Sequence, residues 1–235
     1  MYLPFSLFKI RSMNAGNILL LFFEYADVIG MAIVLLVLLL GGDAKILENK
    51  QFFLKYFLVF FIFSLFASLI PDVIQFKSNN WVYDNIPLFL CLILFFYFKK
   101  ILISPASKIL NNIIFSLFIL FYIFNWYKAV DRLPNSEFYL IYAMFILINS
   151  VLYFIQELIN IDVPIFEKGD FWFITSVLFY SSSSTLFWMF YKEIYSKYPN
   201  QFNLEYLWPV CYNSIQFISC IIFASAIYLK TRQSR

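Results

Sequence analysis

The chain has 235 residues, 63% hydrophobic and only 13% charged, with a formal net charge of +3. Water-soluble domains carry about 25% charged residues, so this composition excludes a conventional soluble surface and points to lipid as the solvent. It also excludes a nucleic-acid stripe, because the small positive excess is spread over short loops.

Residues 1–16 contain Lys9 and Arg11, but the run that follows is of span length and lacks a small-residue cleavage site. It therefore reads as an uncleaved first span rather than a signal peptide. Apolar runs recur at 17–40, 52–74, 82–98, 109–127, 138–158, 171–191 and 206–229. Each is close to the ~20 residues a helix needs to cross hydrocarbon, and a helix pairs every backbone polar group within itself. The chain is thus expected to be all-α: a single seven-helix transmembrane domain over residues 1–235. Pro71 with Asp72 predicts an early end to the second helix, and Asn85 with Pro87 predicts a break or kink in the first turn of the third. Trp81, Trp126, Trp172 and Trp208 fall at run boundaries, where indoles favour the interface, while Trp188 lies farther in.

The loops are too short to fold as separate domains. Asp162, Glu167 and Asp170 make the loop before the sixth run acidic and are expected to be solvated. Glu157 reads as interfacial, and Asp131-Arg132 lies outside any helix end that would make it a receptor motif. One side of the predicted bundle gathers Lys45, Lys50, Lys55, Lys99, Lys100, Lys108, Lys168, Lys230, Arg232 and Arg235; the other gathers Lys9, Arg11, Lys77, Lys128, Arg132, Lys192 and Lys197. The more positive side faces the cytoplasm, giving N-terminus out and C-terminus in.

Inside the first run, Glu24 and Asp27 have no Lys, Arg or His to neutralise them. Ionisable groups at membrane depth are costly and normally face a bundle interior or a wet cavity. Asn213 and Gln216 lie at a matching depth in the seventh run, and Ser181, Ser182, Ser183, Ser184 and Thr185 do so near the end of the sixth. At 1.5 Å rise per residue these groups fall roughly 8–15 Å below one surface, and the i, i+3 spacing puts each pair on one helical face. A polar layer between helices 1, 6 and 7 is expected, able to hold a proton, a cation or a small ligand. The plainer reading makes the hydroxyls and amides interhelical glue, worth ~0.6–2 kcal/mol each, with Asn149 and Ser150 of the fifth run in the same role.

Several chemistries are excluded. A chain with no His lacks the usual general base and the commonest metal ligand, and no metal site is expected. Cys91, Cys211 and Cys220 form no CxxC pair and lie within runs as small hydrophobes. The last run holds no lysine for a retinal Schiff base, and the five glycines form no phosphate-cradling loop, so no cofactor is expected. Three functions stay open: a non-enzymatic receptor-like or signalling-partner protein, a proton, cation or small-solute transporter or channel, and a membrane-embedded enzyme using carboxylates.

The segments LLFFEYADVIG, around Glu24, and DFWFITSVLFYSSSSTLFWMFY, with Phe171, Trp172 and Tyr180, carry a resemblance. The chain resembles uncharacterised seven-helix membrane proteins of Bacteroidota, often encoded beside sensor histidine kinases. The resemblance implies a multi-pass protein of a bacterial cytoplasmic (inner) membrane, acting in signal transduction with a separate membrane protein such as a sensor kinase. Glu24, Phe171, Trp172 and Tyr180 are the matching positions. The hydroxyl run 181–184 departs from that pattern.

Overall fold

With no water in hydrocarbon to bond N–H and C=O groups, the apolar runs close their hydrogen bonds within themselves. The computed structural model describes residues 22–23, 25–40, 49–74, 80–126, 136–159, 164–197 and 208–233. Residues 1–16, Glu24, Asp131, Arg132 and Asp162 lie outside these. Among the described residues there are seven α-helices and no strand: α1 Ala26–Leu40, α2 Lys50–Ile74, α3 Asn80–Ile101, α4 Pro105–Trp126, α5 Ser136–Ile159, α6 Gly169–Lys197 and α7 Ser214–Gln233. A short 3-10 turn, Ile165–Glu167, precedes α6, and a π-helical turn, Trp208–Asn213, leads into α7. Pro105–Phe124, Glu137–Ile159, Gly169–Phe190 and Val210–Tyr228 are long and apolar enough to cross a membrane; Ala26–Leu40 is a shorter apolar helix. The chain is a helical, multi-pass membrane protein at that level.

Two expectations are corrected. α2 runs to Ile74 through Pro71, and α3 begins at Asn80 and continues through Pro87. Proline's fixed φ of about −65° is itself helical, and the backbone carbonyl it frees can be met by neighbours in a bundle. The first run is also less regular than expected: Phe22 and Phe23 are helical, Tyr25 lies in a turn, and α1 starts afresh at Ala26.

Each helix packs on the next in sequence, α3 also packs on α5, and α1 makes its most extensive contact with α7. The helices α1, α2, α3, α5, α6 and α7 thus close a ring, and α4 lies outside it in the angle between α3 and α5. Burial agrees: 17% of α4's span-length stretch is buried, against 56% for α6. Among the described residues, aromatic rings outnumber aliphatic side chains in the buried core. Phe52 stacks on Tyr97 (4.5 Å, 16°), Phe57 on Phe223 (5.3 Å, 17°), and Trp188 on Tyr139 (5.0 Å, 29°). Aromatic pairs of this kind add about 0.5–1.5 kcal/mol beyond the area they bury.

Gly30 sets the close approach of α1 to α7. A Cβ there would sit 3.1 Å from the Cα of Phe217 and 3.1 Å from the Cβ of Cys220. Small residues at such crossings let membrane helices pack backbone to backbone.

Candidate functional site

Asp27 occupies the first turn of α1 and is buried, 8% exposed. Backbone N–H groups at the helix start and the hydroxyl of Ser64 on α2 bond its carboxyl group, an arrangement favoured by the positive end of the helix dipole. Its Oδ1 nonetheless has no hydrogen-bond partner among the described residues. No basic side chain among them offsets its charge. Tyr212 of the π-helical turn and Cys220 of α7 lie within electrostatic reach of it.

The two irregular helix ends meet beside this carboxyl group. Asn213, the last residue of the π turn, donates its Nδ2–H to the carbonyl of Phe23 at 3.2 Å. Gln216, one turn along α7 and 2% exposed, points its Nε2 at Met31 Sδ, 3.6 Å away. Tyr180 of α6 and Tyr212 share a 2.6 Å hydroxyl–hydroxyl bond, and Tyr212 also bonds Tyr139 of α5. Asp27 thus meets Ser64 of α2 and lies within electrostatic reach of Tyr212, which bonds Tyr180 of α6, while Asn213 and Gln216 reach the α1 segment at Phe23 and Met31.

The hydroxyl run of α6 behaves differently. Ser181 and Ser182 donate to the carbonyl of Leu178, and Ser184 to that of Ser181. These are bonds to the preceding turn of the same helix, the usual outlet for Ser in hydrocarbon. Ser182 is exposed on the outer face of α6, so it does not join the layer, and Ser183 is half-buried. Thr185 bridges helices, donating to Ser181 O at 2.8 Å and to Tyr139 O at 3.2 Å. Phe171 and Trp172 lie at the opposite end of α6, where Trp172 Nε1 donates to Phe166 O. They do not reach Asp27's neighbourhood. Asn149 and Ser150 are fully buried in α5; Asn149 bonds back to Phe145 O, leaving its Oδ1 without a partner.

Ser64 and Tyr212 are the site residues that sequence reasoning missed. Tyr212 adjoins Asn213, and Ser64 is a hydroxyl in the Phe-rich stretch FFIFSLF, a weak signal in both cases.

At the other end of the ring, Asp170 is not a solvated loop residue. It lies in the first turn of α6, half-buried, and accepts Tyr97 OH at 2.7 Å and the Asn49 amide at 2.9 and 3.1 Å. Lys100 Nζ in turn donates to Asn49 Oδ1 at 2.5 Å. Nearby, Lys168 pairs with Glu157.

The chain matches no protein-family profile, no curated protein and no solved structure. The chemistry of the site is therefore the guide to its function. Among the described residues no cluster of His, Cys, Asp or Glu has the makings of a metal site.

Proposed function

We propose that this protein is a non-enzymatic, receptor-like membrane protein with seven spans, N-terminus out, whose layer between α1, α6 and α7 holds a proton, a cation or a small cationic ligand. Asp27 is the anionic group of that layer, with Asn213, Gln216 and the Tyr180–Tyr212 pair around it. The supporting observation is the Asp27 Oδ1, buried without a partner and without a counter-charge. A buried anion is tolerated when something neutralises it, and an exchangeable partner turns that need into a signal. The resemblance suggests the rest of the reading: residence in a bacterial inner membrane and passage of the signal through helix contacts to a separate sensor kinase.

The second reading is a transporter or channel, favoured by one feature. The break before α1 and the π turn before α7 lie side by side, and interrupted helices of this kind surround ion sites in secondary transporters.

Infrared difference spectra of the protein in lipid nanodiscs test the site. Stepping pH, or adding sodium chloride or methylammonium, should shift a carboxyl band that is missing in Asp27→Asn. Identical difference spectra for parent and variant would remove the reading. Proton or sodium flux into proteoliposomes that depends on Asp27 would favour the transporter over the receptor.

A further inference from the structure

Where α4 packs against α3 and α5, two asparagines are withdrawn from solvent and each keeps an oxygen that no described residue bonds. Asn111 of α4 and Asn149 of α5 are both 0% exposed. The Nδ2 of Asn111 donates to Phe95 O of α3 at 3.3 Å, and the Nδ2 of Asn149 donates to Phe145 O of its own helix at 2.9 Å. Those carbonyls can only accept, so turning either amide over would set oxygen against oxygen. The chemistry thus fixes both amides with Oδ1 pointing away from these carbonyls. Neither Oδ1 has a hydrogen-bond partner among the described residues. Buried polar atoms are nearly always bonded, so two such oxygens in one neighbourhood call for a donor.

Ring contacts set the register of α4 against α5. Phe115 lies 6.3 Å from Phe145, and Tyr122 lies 4.7 Å from Phe138. Seven residues forward on α4 match seven residues back on α5, so the two helices run antiparallel and in step. One turn from the first pair, away from the second, brings Asn111 and Asn149 to the same level on the same two faces. On α3, Phe98 lies 6.2 Å from Phe145, and Leu102, one turn on, is fully buried.

We propose that Asn111 and Asn149 form a buried water site, in which one water donates a hydrogen bond to each Oδ1 and ties α4 to the ring. A water supplies two donors, and buried waters are typically held by about three bonds to groups otherwise unpaired. Such a bridge is nearly as favourable as a direct hydrogen bond. A metal cation is the poorer occupant. The two amides carry no negative charge to offset it, and Lys108, one turn before Asn111, adds a positive one. Only 17% of α4's span-length stretch is buried, so a polar link matters most on this helix.

Water-edited solid-state NMR of the protein with isotope-labelled asparagine, in bilayers of deuterated lipid, tests the site. The side-chain amides of Asn111 and Asn149, assigned through their own backbone correlations, lie beyond bulk water, yet both should receive polarisation from water at short mixing times. In Asn111→Leu the transfer to Asn149 should fall severalfold, and in Asn149→Leu the transfer to Asn111 should do the same. Replacing choline chloride with sodium or potassium chloride should leave both signals unshifted. Thermal unfolding gives an independent reading: the double variant should lose less in Tm than the two single variants summed, because either one removes the water's second acceptor. Absence of water transfer to both amides in the parent protein would overturn the proposal. So would full transfer to Asn149 in Asn111→Leu, a saturable shift with sodium or potassium, or additive Tm losses.

Discussion

The two ends of the ring each hold a withdrawn aspartate, and the two are treated in opposite ways. Asp170 accepts three hydrogen bonds, from Tyr97 and from both contacts of the Asn49 amide, and a lysine stands behind the asparagine. Asp27 keeps an oxygen without a partner and faces no basic group among the described residues. A satisfied polar network ties α2, α3 and α6 together and contributes stability; an unsatisfied one costs stability and persists where it serves a purpose. The difference separates a carboxylate whose oxygens are both bonded from one that keeps an open acceptor.

The sharpest way to break the comparison is to remove the satisfied acid. Asp170→Ala leaves the Asn49 amide and the Tyr97 hydroxyl without an acceptor, and thermal unfolding in detergent should report a loss of about 3 kcal/mol. Next in size is Gly30→Val, which forces added atoms against the backbone of Phe217. Overpacking there should cost about 1–3 kcal/mol and disturb the Asp27 layer, read as a lower Tm together with an altered Asp27 carboxyl band. Tyr97→Phe deletes one bond to Asp170 and should lower stability by about 1–2 kcal/mol without touching that band. Ser182→Ala should stay within about 0.5 kcal/mol, since its hydroxyl only returns to its own helix on an exposed face.

The same contrast shows what can be read from the sequence. Counting residues from helix ends gives Asp27, Asn213 and Gln216 a shared depth, because rise per residue fixes depth and an unpaired acid in an apolar run stands out. Asp170 gave no such signal: its partners Asn49 and Tyr97 lie 121 and 73 residues away, on helices whose angular positions no local pattern fixes. The serine run looked like a cluster aimed at a site, but composition does not tell a hydroxyl directed inward from one returned to its own backbone. Pro71 looked like an early helix end and Pro87 like a break or kink, yet both helices run through these prolines, a matter of bundle context rather than propensity.

The most direct test is the paired thermal unfolding of Asp27→Asn and Asp170→Asn in the same lipid. The account expects Asp27→Asn to melt at or above the parent temperature, because a costly buried charge is exchanged for a neutral isostere, while Asp170→Asn melts well below it. Equal losses in the two variants would contradict it and make Asp27 one more strut of the bundle.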